Sequence, residues 1–308
     1  MAVALITHPV FASHEVPRGH PESGARVTEA DAGLRALGDS TLNRVEAPRA
    51  TREQLDRVHA PGHVDAVFDG APTEGLVALD PDTTMGPHSL EAAERAAGAV
   101  CHGVDLVMSG DATRAFCLVR PPGHHAGSAN ASGFCIFNNV AVGAAHALAQ
   151  DGIERVAILD FDVHHGDGTE AIVRDDPRIL MCSTYQHPFY PGTNLPSVPG
   201  SQVNVPLAAG TGGQEFRTAV SERWLPELDD FAPQLVFISA GFDAHADDPL
   251  GQLALTESDF AWATERAVAV ANQHAQGRVV SVLEGGYNLE ALSASVVAHV
   301  RALAGLRD

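Results

Sequence analysis

Six short apolar runs, each feeding a longer stretch with helical spacing, constrain this chain more than any other feature. The runs cover residues 2–7, 114–119, 155–161, 178–182, 234–239 and 278–283. The helical stretches cover 23–37, 89–108, 138–150, 214–228, 257–273 and 289–304. Strand–helix alternation of this kind builds a parallel sheet buried on both faces. The expected fold class is therefore α/β: a single open, predominantly parallel sheet with helices on both faces. The 308 residues suffice for one large domain or two ordinary ones. No internal repeat, low-complexity tract or long linker divides them, so residues 1–308 read as one domain. Gly and Pro gather after the apolar runs, in 120–123, 188–200, 208–213 and 284–286. Open parallel sheets bind ligands at the carboxyl ends of their strands, and every polar cluster described next falls at such an end.

The clearest cluster is Asp160-Phe161-Asp162-Val163-His164-His165-Gly166-Asp167-Gly168, directly after the apolar Val156-Ala157-Ile158-Leu159. Alternation along a strand puts Asp160, Asp162 and His164 on one side. A carboxylate and an imidazole two residues apart form two parts of a metal clamp. Zinc takes such O and N donors, and catalytic sites keep three protein ligands and an open position. A third ligand should come from another strand end, and Val236-Phe237-Ile238-Ser239-Ala240-Gly241-Phe242 delivers Asp243 there. Asp243 has a second reading as a helix cap. His245, two residues on, reads as a surface histidine rather than a ligand. The Pro121-Pro122-Gly123 turn presents His124 and His125 as a pair suited to general acid–base work. Asp160 and Asp167 are placed to orient them. After the last apolar run, Glu284-Gly285-Gly286 presents Tyr287 to the same edge. Paired glycines permit a close backbone approach, and a Tyr hydroxyl beside a metal can donate to a developing oxyanion.

Composition narrows the partners. Charged residues make up 19% and hydrophobic ones 45%, the profile of a soluble globular enzyme. The formal net charge is −20 and no Lys/Arg cluster interrupts it, so a nucleic-acid partner is not expected. An acidic body steers cationic partners, such as polyamines or basic peptide tails. Cys101, Cys117, Cys135 and Cys182 lack CxxC pairing and sit in apolar contexts; they read as reduced core residues of a cytoplasmic protein. There is neither a signal peptide nor an apolar run near the ~20 residues of a membrane span, so no membrane partner is expected.

Taken together, these residues resemble the histone-deacetylase superfamily, which includes the acetylpolyamine amidohydrolases and has the arginase/deacetylase fold. The resemblance runs from about Gly19 to Tyr287. It is carried by Gly19-His20-Pro21-Glu22 with Arg26; Asp82-Thr83 ahead of Ser89-Leu90-Glu91-Ala92-Ala93; Arg120-Pro121-Pro122-Gly123-His124-His125; Gly133-Phe134-Cys135-Ile136-Phe137-Asn138-Asn139; Asp160 through Gly168; Gly241-Phe242-Asp243; and Glu284-Gly285-Gly286-Tyr287. It implies one Zn²⁺ per chain held by Asp162, His164 and Asp243. It makes His124 and His125 the catalytic pair, oriented by Asp160 and Asp167 respectively, and Tyr287 the group that polarises the acyl oxygen. Phe134 and Tyr190 become the aromatic walls of an acyl-lysine tunnel, with Gly133 and Leu250 contributing to it. Tyr190 departs from the Phe common in the family. Asp82 matches a rim carboxylate that grips substrate amides, and Arg26 an arginine of the product-exit pocket. A structural K⁺ is implied at Asp160, Asp162, His164, Ser183 and Thr184.

The implied activity is zinc-dependent removal of acetyl or other acyl groups from the ε-amine of lysine side chains, with release of acetate. The expected partner is an acetylated lysine peptide or protein, and a homo-oligomer is compatible with the sequence. Acetylpolyamine hydrolysis is the nearest alternative. Eukaryotic polyamine deacetylases carry a gatekeeping Glu in an Asp-Pro-x-Gly segment, whereas this chain has Asp248-Pro249-Leu250-Gly251. Two more distant readings fit less well. A binuclear manganese hydrolase of the same fold would need further carboxylates where Gly166 and His245 stand. A non-catalytic acyl-lysine binding module would have lost a ligand or the tyrosine, and none is missing.

Overall fold

A computed structural model describes residues 3–38 and 41–306 of the chain. In chain order the strands are β1 (Val3–Thr7), β2 (Leu42–Glu46), β3 (Val77–Ala78), β4 (Thr84–Met85), β5 (Arg114–Cys117), β6 (Val156–Asp160), β7 (Ile179–Gln186), β8 (Gln202–Leu207), β9 (Leu235–Ala240) and β10 (Val279–Leu283). The α-helices are α1 (Ala25–Arg35), α2 (Arg52–Asp56), α3 (Pro61–Asp69), α4 (Ser89–Ser109), α5 (Asn139–Leu148), α6 (Asp167–Val173), α7 (Gly213–Ala219), α8 (Leu225–Phe231), α9 (Glu257–His274) and α10 (Leu289–Leu303). Eight strands form one sheet in the order β2-β1-β5-β10-β9-β6-β7-β8. Every neighbouring pair is parallel. β3 and β4 make a separate antiparallel ribbon.

The six apolar runs are strands of this sheet, although residue 2, where the first was expected to begin, lies outside the described residues. The interior strands β6, β7, β9 and β10 are buried along their whole length. Their side chains alternate between two helical layers. Gly103 of α4 lies against Val280 and Ala115, whereas the next residue along β10, Ser281, meets His299 of α10 at 2.8 Å. Helices thus cover both faces, as continuous apolar strands require.

Three expectations change. The two edge strands, β2 and β8, were not foreseen: β2 is largely exposed, and β8 carries Pro206, which a sheet tolerates at its edge. β7 continues to Gln186, so Ser183 and Thr184 lie within the strand rather than after it. The expected helix 214–228 is broken by a π-helical turn at Val220–Trp224. Pro226, at the start of α8, has no N–H to donate to the preceding turn, and the wider turn absorbs the mismatch.

β5, β10, β9 and β6 are consecutive in the middle of the sheet. The register sets Asp160 beside Ser239 and Leu283 beside Ala240, so these strands finish level with one another. The loops that leave them carry the residues around 124, 287, 243 and 162. Strand order alone brings together positions up to 163 residues apart in sequence.

Candidate active site

β6 ends at Asp160, so Asp162 and His164 lie in the loop beyond it, and hydrogen bonds rather than strand pleating orient them. Asp162 Oδ1 accepts from the His164 backbone N–H at 2.8 Å and lies 3.0 Å from His164 Nδ1. Asp162 Oδ2 accepts from Gly285 N at 2.9 Å. From the β9 loop, Asp243 Oδ1 accepts from Val163 N at 2.8 Å. Its Oδ2 is buried without a hydrogen bond and stands 3.2 Å from His164 Nδ1. Neighbouring donors of a tetrahedral ion with bonds of ~2.0–2.1 Å are separated by about 3.3 Å. The 3.0 and 3.2 Å separations therefore fit a bound divalent cation, as does the orphaned oxygen. Donor atoms of all three residues lie within 4.8 Å of one another, the one such group among the described residues. The glycines around the clamp are there for space. A Cβ at Gly241 would strike Asp162, and one at Gly285 would strike Asp243.

The buried charges of the trio perturb one another strongly. Burial opposes charge on His164, but Asp162 and Asp243 outweigh it and push its pKa up to about 10. Burial and the neighbouring Asp162 push Asp243 up to about 7. Asp162 is held far below the usual carboxylate range by His124 and His164 despite its own burial. A cation held here would compete with protons for these groups, which would make its binding pH-dependent.

His124 and His125 follow β5, and their rings pack 4.1 Å apart between centroids. Glu284, at the end of neighbouring β10, accepts from the backbone N–H groups of Gly123 and His124 at 2.7 and 3.1 Å. His124 Nδ1 lies 3.0 Å from Asp160 Oδ2, and His125 Nδ1 lies 2.8 Å from Asp167 Oδ1. These are the two carboxylate pairings expected from the sequence. The environments drive the imidazoles apart. Burial opposes charge on His124, but Asp162 and Asp160 hold its pKa well above the ordinary value. Burial and the charge on His124 push His125 down to about 4, against the pull of Asp167. The two imidazoles are thus pushed toward opposite protonation preferences. Such a pair can carry acid and base roles.

A cavity of about 380 Å³ leads to this cluster. It is lined by His125, His164 and Tyr287, and by Asp82, Gly133, Phe134, Tyr190 and Leu250 among others. Gly133 and Phe134 both have left-handed backbones, at φ 55° and 67°. A Cβ at Gly133 would press on the His125 ring, so glycine is needed there. Phe134, an uncommon residue for that conformation, is tied down by its N–H donating to Thr83 Oγ1 at 3.0 Å. Across the cavity Tyr190 meets the His125 ring edge-on at 5.1 Å. Its hydroxyl lies 3.2 Å from Ser132 Oγ, linking the two walls. Asp82 stands at the rim, its pKa raised by burial and by Asp80. Arg26 is fully buried, 4.8 Å over the Tyr287 ring, and donates to the Gly286 and Glu284 carbonyls. Burial raises the Tyr287 phenol well above its usual range despite Arg26, leaving it a neutral donor.

Every site residue named from the sequence lies in or beside this cluster. Ser183 and Thr184 are buried on β7, with Ser183 in register with Asp160. His245 corrects the sequence reading. It is buried, because its loop folds back to pair with Leu255, and it sits 3.6 Å from Glu257 rather than on the surface. Two residues escaped sequence reasoning. Phe189 stacks on His164 at 5.5 Å and lines the cavity; its place beside Tyr190 was the available signal. Asp248 accepts backbone N–H groups from both sides of the cavity, a role no local pattern announces. All four cysteines are buried and free, as expected. No helix among the described residues is long and apolar enough to cross a membrane.

A family model described as the histone deacetylase domain matches residues 20–303. This chain belongs to the histone deacetylase family. A "Probable deacetylase" of Archaeoglobus fulgidus is 37% identical over 99% of this chain and 87% of its own length. A "Histone deacetylase-like amidohydrolase" of Pseudomonas aeruginosa is 38% identical over 94% of this chain and 78% of its length. A "Polyamine deacetylase HDAC10" of Homo sapiens is 37% identical over 99% of this chain but only 48% of its own length. Among solved structures, the HDA15 HD domain superposes with a TM-score of 0.92 at 35% identity, covering 99% of this chain and 90% of that one. The fold is the arginase/deacetylase α/β fold, and family and relatives together support a hydrolase of the deacetylase kind.

Proposed function

We propose that this histone deacetylase family member is a mononuclear zinc amidohydrolase that releases acetate from the ε-amine of acetylated lysine. One observation carries the reading. The Asp162–His164–Asp243 clamp and the His124–His125 pair meet beside one cavity, which His125, His164 and Tyr287 line directly and whose walls are largely apolar. An acyl-lysine chain, neutral along its methylenes, suits that passage. Bound at the clamp, the cation would supply Lewis-acid polarisation and an acidified water. His125, with Nδ1–H held by Asp167, would take a proton from water at Nε2. His124, its Nδ1 paired with Asp160, would return a proton to the departing amine. Tyr287 would donate its hydroxyl to the oxyanion. A second carboxylate-ligated metal finds no support: a side chain at Gly166 would collide with Asp160 and His124. The pairing of Asp160 with Ser183 across β6 and β7 supports a structural K⁺ near Thr184.

Acetylpolyamine hydrolysis is the second reading, favoured by Asp82 in the cavity lining and by relatives named polyamine deacetylase. Leu250 in the cavity wall favours lysine. Turnover of acetyl-lysine peptides measured beside acetylputrescine and acetylspermidine tests the choice. Higher kcat/KM on the peptides is expected; a strong polyamine preference would overturn it.

A further inference from the structure

We propose that Asp248 is a positioning residue that sets Tyr287 for catalysis and couples it to the cavity wall at Leu250. The inference rests on the reading of Tyr287 as the oxyanion donor. Asp248 is buried, and three backbone N–H groups converge on its carboxylate. Oδ2 accepts from Tyr287 N at 2.6 Å and from Asn288 N at 3.1 Å. Oδ1 accepts from Leu250 N at 2.9 Å. Tyr287 and Leu250 both line the cavity, so one carboxylate fixes two of its walls.

The segment it holds needs holding. Gly285 and Gly286 precede Tyr287, and Gly286 has φ 119°, so the intrinsic backbone preference there is weak. Arg26 fixes the carbonyl side of the segment, at Glu284 and Gly286. Asp162 fixes the Gly285 N–H. Asp248 alone takes the N–H groups of Tyr287 and Asn288. Asn288 then caps α10, accepting from Ala291 N at 3.1 Å, and donates through Nδ2 to the Asp247 carbonyl at 3.0 Å. The Asp248 carboxylate therefore lies at the amino end of a 15-residue helix, where the aligned peptide dipoles favour an anion. Asp248 is anchored in turn through its own N–H, which donates to the His245 carbonyl at 3.0 Å. The hydroxyl sits at the far end of a ring packed under Arg26, so a small rotation of the peptide at Tyr287 swings it away from the acyl oxygen.

A double-mutant cycle separates this role from general support of the fold. Asp248→Asn replaces an accepting oxygen by an NH₂ that cannot accept. A misplacement of about 1 Å at a reacting group costs about 10²-fold in rate. Asp248→Asn should therefore lose about 10²-fold in kcat, with KM changed far less and bound zinc retained. In a Tyr287→Phe background the same change should cost under about threefold more, because residues acting through one another are not additive. Asp248→Glu keeps the charge, shifts the acceptors by one methylene and should fall between. Losses that multiply fully across the cycle, or wild-type kcat in Asp248→Asn, would overturn the proposal. If Asp248→Asn does not fold, Asp248→Glu is carried through the same cycle and decides it. A Tyr287→Phe enzyme with wild-type turnover would instead sink the site reading beneath it, a distinguishable result.

Discussion

Glu22→Gln should destabilise the protein by about 3–5 kcal/mol, because it would leave two buried guanidiniums without their counter-ion. Glu22, Arg26 and Arg120 are all fully buried. Glu22 Oε1 accepts from Arg26 NH1 at 3.1 Å, and Oε2 accepts from Arg120 NH2 at 2.7 Å. Burial alone would raise the Glu22 pKa, but Arg120 and Arg26 draw it from 4.5 down to about 2. That depression corresponds to about 3 kcal/mol, and breaking a buried pair by removing one partner costs about 3–5 kcal/mol. For a chain of this length the melting temperature should fall by about 5–8 °C. The sign with pH follows. A depressed carboxyl stabilises the fold above its unfolded value and loses that contribution as pH falls through its folded value. The stability gap between wild type and Glu22→Gln should therefore be full above pH 4.5 and shrink toward pH 2. Urea unfolding at several pH values, with thermal melts at neutral pH, measures both. A shift under 2 °C, or a gap that widens on acidification, would refute the reasoning. Activity offers a second readout, since Arg26 also holds the carbonyls flanking Tyr287.

Two further perturbations probe the cavity. Tyr190→Phe removes the hydroxyl that meets Ser132; acetyl-lysine turnover should change under about threefold, while longer acyl chains gain relative kcat/KM as the walls part. Equal effects on all acyl lengths would contradict the tether. Gly285→Ala places a methyl against Asp243 and Asp162; zinc affinity should drop by at least about tenfold in a chelator competition, and unchanged affinity would show that the clamp is less crowded than described.

The central sheet was legible because β6, β7, β9 and β10 are buried throughout, open on apolar runs and lead into chemically distinctive loops. The edges were not, because β2 is largely exposed and β8, although mostly buried, interrupts its apolar residues with Gln202, Asn204 and Pro206. The clamp and the tandem histidines could be read because ligands two residues apart on one loop announce themselves locally. Asp248 could not, since its partners are backbone N–H groups, one of them 39 residues away at Tyr287, and backbone groups leave no trace in residue identity. His245 shows the same limit: only the pairing of its loop with Leu255 buries it. The resemblance supplied the roles that geometry alone leaves open, above all the pairing of Tyr287 with an acyl oxygen.

Metal content measured against activity tests the account most directly. Purified wild type should bind one zinc per chain, and Asp243→Asn, which weakens the oxygen left without a hydrogen-bond partner, should lose zinc and deacetylation together while keeping its fold. Two metal ions per wild-type chain, or full zinc and full turnover in Asp243→Asn, would contradict it.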